Sequence, residues 1–318
     1  MAVISIGSLS NVEKASYVKE GLDFAKPHMM YAKFATGDRV AKRDGNTRTW
    51  FRFTKPSVTS GSSTTFAGGQ TYYKNTTGAP PTFTPATPGT TQITAQVEFL
   101  FGQGHEWNDG MEYTAFADLP VELRQLNAQH AAEAVETEIR DVLKVGTTVS
   151  YANGKASRGL LTGADQVDTY DFIDAVTVLR NNDAPLISGM YEALCSANII
   201  AQLMKDSVFQ TAVAQQKNYM FAGRIAELFG VGFDFSSLAP TVTNSGSNNA
   251  VATVEQTLIV GGKSYGITKW MMNDYDLVYT PPGGWGDEYA VRHALTWKHA
   301  FKSVILNQSW LLRLESAR

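Results

Sequence analysis

Apolar and polar positions divide the chain into stretches of different period. From Arg48 the sequence alternates strictly: in RTWFRFTK, Trp50 points one way and Phe51 and Phe53 the other. A second alternating stretch starts at Thr91, where TQITAQVEFLFGQ sets Ile93, Ala95, Val97 and Phe99 against polar neighbours. Two such stretches predict a β-hairpin. The period then becomes helical in DLPVELRQLNAQHAAEAVETEIRDVLKVG, with Asp118 as N-cap, Pro120 in the first turn and Gly146 as the stop. Leu119, Leu123, Leu126, His130, Ala134 and Ile139 follow helical spacing, which predicts a helix over about 119–144 with those residues facing inward. At the usual rise it would be about 37 Å long. Glu133, Glu136, Glu138 and Asp141 are expected to form a solvated acidic side.

Residues 1–35 read as an arm with a helical middle, in which Val18, Leu22 and Ala25 share a face and Pro27 bends the chain. TYDFIDAVTVLRNND predicts a second helix ahead of Pro185. LFGVGFDF suits a strand that turns sharply, and TLIVGGKSYG a strand, a turn and a strand. YTPPGGWGDE is a loop. The C-terminal Trp297, Val304, Ile305, Leu306, Trp310 and Leu312 are too apolar for a tail, so that segment must dock into a core.

The connection between the two hairpin strands, residues 57–90, is built mainly from Ser, Thr, Gly and Pro. Its single charge is Lys74, yet it contains Phe66, Tyr72, Tyr73 and Phe83. Such a segment cannot form a core of its own, and unlike an ordinary disordered linker it is neutral and aromatic. It reads as an arm that lies on another surface, with Phe66, Tyr72, Tyr73, Lys74 and Phe83 as candidate inter-subunit contacts.

Composition narrows the function classes. The 318 residues are 43% hydrophobic and carry a net charge of −3, without the basic excess that tight duplex binding requires. The lone Cys195 sits in the apolar YEALCSANII and reads as a small buried hydrophobe. No apolar run reaches membrane-spanning length, and the N-terminus lacks the pattern of a secretory signal.

The candidate chemistry fails on spacing. Gly262-Lys263-Ser264 resembles the end of a phosphate-binding loop, but the glycine required five residues before Gly262 is Thr257, and SYGITKW favours extended chain over a helix. Gly261 and Gly262 therefore read as a turn between strands. His105-Glu106 begins like a zinc-protease helix, but the second histidine position holds Asp109. The histidines at 28, 105, 130, 293 and 299 are scattered, and no nucleophile elbow occurs. No catalytic, metal or cofactor residues are assigned, and an enzyme ranks behind structural roles.

Six segments in order resemble one family: LDFAKPHMMYAKFA, RTWFRFTKP, QVEFLFGQGHEWND, LNAQHAAEAVETEIRDVL, LIVGGKSYGI and WGDEYAVRHALTWKHAFKSVILNQSWLLRLES. Together they are similar to the major capsid proteins of tailed phages with the Hong Kong 97-like fold, in the subfamily typified by coliphage N4. The resemblance implies an α+β fold with an N-terminal arm (1–35), an extended hairpin loop (36–105), a peripheral domain (106–187 and 285–318) containing a spine helix, and an axial domain (188–284). It implies pentamers and hexamers of the chain itself, made in the host bacterial cytoplasm and assembled into the virion's icosahedral head. Packaged double-stranded DNA would be held by weak non-specific contact, portal, scaffold and decoration proteins are further partners, and neither a cofactor nor a membrane is implied. Some relatives cross-link a loop lysine to a neighbour's asparagine; most do not, and no cross-link through Lys74 is expected. An encapsulin-like nanocompartment shell and a fibre or receptor-binding virion component remain as alternatives.

Overall fold

A computed structural model describes residues 30–41, 43–54, 60–61, 72–73, 89–102, 104–114, 119–215, 227–243, 253–270, 276–284 and 286–318. The N-terminal arm before Met30 lies outside the described residues, as do Phe66, Lys74 and Phe83.

In chain order the strands are β1 (Thr36–Val40), β2 (Thr47–Thr54), β3 (Ser60–Gly61), β4 (Tyr72–Tyr73), β5 (Gly89–Gln96), β6 (Glu98–Phe101), β7 (His105–Asn108) and β8 (Val149–Tyr151). They continue as β9 (Tyr191–Cys195), β10 (Glu227–Leu228), β11 (Val231–Phe235), β12 (Thr241–Thr243), β13 (Thr253–Val260), β14 (Tyr265–Trp270), β15 (Asp276–Thr280), β16 (Arg292–Ile305) and β17 (Leu311–Ala317). The helices are α1 (Asp109–Thr114), α2 (Leu119–Leu143), α3 (Thr169–Asn181), α4 (Ala197–Lys205) and α5 (Ser207–Gln215).

The chain divides into two compact units, Thr47–Gln96 and the remainder. The first is the expected hairpin. Strands β2 and β5 pair antiparallel from Thr47 opposite Gln96 to Thr54 opposite Gly89. It is narrower than the expected 36–105, because β1 and β6 pair elsewhere: β1 with β14, β6 with β16.

The second unit contains two sheets. One is six-stranded and centred on the 14-residue β16, with β6 and β7 along one edge and β14 and β15 along the other. Between β6 and β7 the chain passes so close to β16 that a Cβ on Gly102 would fall 1.8 Å from the Trp297 ring. The other is seven-stranded, ordered β10-β11-β9-β13-β17-β8, with β12 on β13. Its central strand β13 is buried on both faces, which explains its run of branched apolar residues.

Helices α3, α4 and α5 cover one face of the seven-stranded sheet, placing Phe172, Leu179, Ile199, Leu203 and Phe209 against Ala193, Ile259 and Leu312. Asp168 caps α3 in a reciprocal box with Asp171. The long helix α2 serves both sheets. Its C-terminal half packs Val135, Ile139 and Leu143 on Leu194, Leu258 and Leu311. Its N-terminal half sets Ala128, Ala131 and Ala132 against Trp297 of the six-stranded sheet.

That packing corrects the expected inward face in part, since Ile139 is buried as expected. Leu126 is 50% exposed and His130 is also exposed, while the buried stripe runs through the alanines. Small side chains are needed there because the indole of Trp297 fills the space, donating Nε1–H to His130 Nδ1 at 3.1 Å. Glu136, expected in solvent, is 2% exposed. Its carboxylate accepts the backbone N–H groups of Met30 and Tyr31, so its burial is compensated by two donors.

Candidate assembly surface

The residues singled out for chemistry serve the fold. Gly261-Gly262-Lys263-Ser264 forms the corner where the chain leaves β13 in one sheet and enters β14 in the other. Gly261 N–H donates to Trp310 O at 2.9 Å and Gly262 N–H to Pro185 O at 2.7 Å. The return crossing from β16 to β17 runs alongside, its Leu306 and Asn307 N–H groups both donating to Ser264 O. Lys263 is exposed and left-handed (φ 57°). The glycines are there for close backbone approach, and the segment leads into a strand where a phosphate loop would lead into a helix.

His105 and Glu106 lie exposed on β7. Cys195 is buried in β9, and burial pushes its thiol up to about 12, which leaves it unreactive at neutral pH. Among the described residues no group of His, Cys, Asp and Glu could hold a metal ion. No helix there is long and apolar enough to cross a membrane.

Two polar clusters were not anticipated from sequence. His293, in β16, shares a hydrogen bond with Tyr279 Oη at Nδ1 (2.6 Å) and with Asp109 at Nε2 (2.8 Å), and Trp107 stacks on its ring. This joins β7, α1, β15 and β16 at one end of the six-stranded sheet. Beside it, Asp287 accepts the N–H groups of Gly283, Val291 and Arg292. Those hydrogen bonds, from Gly283 and Arg292 foremost, hold its carboxyl below the usual carboxylate range. The loop is thereby closed on itself and presents Tyr289, 88% exposed, near Val291; α1 presents Tyr113, 89% exposed. Val291 O accepts the N–H of Asp109, so the loop and α1 adjoin.

The second cluster is an ion pair on a buried carboxylate. Arg158 grips Glu315 of β17 with two bonds, at 2.7 and 2.6 Å, and Gln256 of β13 donates to the same carboxylate. Burial alone would push the Glu315 carboxyl up, but the bonds from Arg158 and Gln256 and the nearby Arg158 and Arg313 charges outweigh it and hold it low.

What remains is surface. The hairpin exposes Phe51 and Phe53 on one side, and Phe99 and Phe101 of β6 stack at 5.7 Å while still half exposed or more. Of the five candidate contact residues, Tyr72 and Tyr73 form β4, paired in parallel with β3 by their backbones; Phe66, Lys74 and Phe83 lie outside the described residues. The hairpin unit contains Arg48, Arg52, Lys55 and Lys74 and no acidic residue, so the remaining residues carry 23 basic and 30 acidic side chains, a net −7. One unit of the chain is thus cationic and aromatic, the other acidic.

No protein-family model matches the chain, and no curated protein matches it. Solved structures do. The capsid of Ralstonia phage GP4 aligns with a TM-score of 0.65 at 9% identity, over 89% of this chain and 87% of that one. The cyanophage Pam1 capsid aligns with a TM-score of 0.64 at 11% identity over the full length of both chains. A virus-like particle from Pyrococcus furiosus aligns at 0.51 and 11% identity, over 95% of this chain and 99% of that one. At such identities the likeness is one of fold: this α+β chain has the fold of phage capsid proteins.

Proposed function

We propose that this protein is the major capsid protein of a tailed phage, assembling into pentamers and hexamers that close into an icosahedral head around double-stranded DNA. The observation that carries the reading is an end-to-end match to a capsid chain with no part of either left over. A non-catalytic role agrees with the Gly261–Gly262 corner and the buried Cys195, which serve the fold.

The parts take the roles that the sequence resemblance implies. Residues 1–35 act as the N-terminal arm, α2 as the spine helix, and 188–284 as the axial domain. Residues 106–187 and 285–318 form the peripheral domain, and the hairpin with its 57–90 connection overlaps a neighbour. The charge division supports that overlap, because a cationic arm approaching a net-acidic body is attracted at long range. The N4-like subfamily is part of the same proposal. The fold match to the virus-like particle from Pyrococcus furiosus is weaker than those to the phage capsids, and the nanocompartment alternative is not favoured.

Negative-stain microscopy of the recombinant protein tests this reading. Closed shells, or rings of five and six, are expected, while deletion of residues 60–88 should leave a folded chain that no longer closes shells. Normal shells from the deletion would remove the arm from the proposal. A monomer under every condition, including with a scaffold supplied, would overturn the capsid reading.

A further inference from the structure

The seven-stranded sheet ends in β8, which pairs in parallel with β17 and with no other strand among the described residues. Arg313 N–H of β17 donates to Thr148 O at 3.0 Å. In a parallel pair alternate residues face the partner, so Thr148 and Ser150 turn toward β17 while Val149 and Tyr151 turn their backbone groups outward. Sheet edges are ordinarily blunted by charge, by proline or by a covering element. Val149-Ser150-Tyr151 carries neither a charge nor a proline.

The covering element leaves a gap. Helix α3 packs on the sheet through Phe172, Ala175 and Leu179, and its first turn reaches the corner after β8, where Asp171 accepts the Asn153 N–H at 2.9 Å. Between helix and strand lies a groove of about 270 Å³, lined by β8, Leu314, Lys155, Asp171 and Asp174. Its charges are unequal. Lys155 is drawn to Asp165 at 3.6 Å, and Asp171 is occupied by the N–H groups of Asn153 and Asp168. Asp174 is exposed and has no partner among the described residues. Burial foremost, with the Asp168 and Asp174 charges adding to it against two backbone hydrogen bonds, raises the Asp171 carboxyl to about 6. The helix side of the groove is thus short of a cation.

We propose that the groove between β8 and α3 takes an extended segment of a partner protein as an added strand, its backbone pairing with Val149 and Tyr151 and a lysine or arginine reaching Asp174. The open edge supplies backbone bonds and the groove beside it selects the side chain. A basic segment fits because Asp174 lacks a partner and an acidic segment would be repelled. Three residues are too few to hold a strand by backbone bonds alone, so recognition needs both parts and is weak and reversible. The groove belongs to the single subunit and does not depend on the function proposed above.

A synthetic peptide, Thr-Val-Lys-Val-Thr with both ends blocked, probes the groove in the full chain. Fluorescence anisotropy of the labelled peptide measures binding, and hydrogen–deuterium exchange reads residues 149–151. Saturable binding with slowed exchange at 149–151 is expected. Asp174→Asn should weaken it about two- to fivefold, the loss expected of one exposed ion pair. The same peptide with glutamate in place of lysine should bind about tenfold more weakly. A fully N-methylated peptide, which keeps the charge but cannot donate to the edge, should not bind. No saturation at millimolar peptide, equal binding of the lysine and glutamate peptides, unchanged affinity in Asp174→Asn, or binding that survives N-methylation overturns the proposal. Protection of 149–151 that grows with protein concentration in the absence of peptide would give the edge to a second copy and likewise overturn it.

Discussion

The corner at Gly261–Ser264 gives two neighbouring substitutions opposite consequences. A Cβ on Gly261 would lie 3.2 Å from both Pro185 O and Trp310 O, and 3.3 Å from the Ala184 methyl. Neither oxygen can retreat freely, because each accepts a backbone bond from the corner itself. Gly261→Ala therefore overpacks a site with no slack and should cost about 1–3 kcal/mol. For a chain of this size that lowers the melting temperature by roughly 2–6 °C. Lys263, by contrast, is exposed with φ 57°. Replacing it with glycine removes a left-handed strain of about 1 kcal/mol, offset in part by the larger entropy of the unfolded chain. Lys263→Gly should leave stability unchanged or raise it by up to about 1 kcal/mol. Thermal unfolding of unassembled subunits, with and without excess magnesium-ATP, measures both. No nucleotide-dependent shift is expected in any variant. A harmless Gly261→Ala, or a nucleotide shift abolished by Lys263→Gly, would refute the corner and return the segment to phosphate binding.

Two further outcomes follow from the packing. Arg158→Ala leaves Glu315 buried with Gln256 and the Arg313 charge as its remaining compensation and should cost about 1–3 kcal/mol at neutral pH. Because the Glu315 carboxyl is held low in the fold, the wild-type stabilisation is present above the ordinary glutamate value and fades as pH falls through the folded one. The gap between wild type and Arg158→Ala in chemical denaturation should therefore narrow on acidification; a gap independent of pH would count against the pair. On α2, Ala131→Leu pushes a branched side chain into the Trp297 contact and should cost about 1–3 kcal/mol. Leu126→Gln, at a half-exposed position, should stay within about 0.5 kcal/mol in unassembled subunits. The reverse ranking would restore the leucine face as the buried one.

The helix also shows where sequence reasoning reaches and where it stops. Its limits, Leu119 and Leu143, were legible because Asp118, Pro120 and Gly146 are local signals. Its buried face was not, because large leucines suggest a core while contact with Trp297 requires alanines, and that indole arrives from a residue more than 160 positions away. The hairpin was legible from alternation, and the corner from two glycines beside a lysine whose motif failed. The strand pairings were not: β9 with β11 and β8 with β17 run parallel, and the C-terminal segment supplies an interior strand to each sheet in turn. Apolar content showed only that this segment docks. The His293 and Asp287 clusters unite residues whose spacing carries no periodic or motif signal, and the burial of Glu136 depends on donors from an arm a hundred residues earlier.

The hairpin connects fold and proposed function most directly. A two-stranded ribbon is marginally stable alone in water, and this one leaves Phe51 59% and Phe53 69% exposed on the same side. Two phenylalanines exposed to that degree present roughly 240 Å² of apolar surface, worth at most about 6 kcal/mol if fully covered. That is too little to hold two subunits together against the entropy of association, but enough when each subunit both gives and receives such a contact around a closed shell. Replacing Phe51 and Phe53 together by serine should then separate two properties that core mutations confuse. Both rings already face water in the subunit, so its unfolding should shift by no more than about 0.5 kcal/mol. The concentration needed for assembly, read by light scattering or sedimentation, should rise by at least tenfold. Shells forming at the wild-type concentration would mean that these rings contribute nothing between subunits, and the hairpin would lose its place in the assembly argument while the fold kept its own.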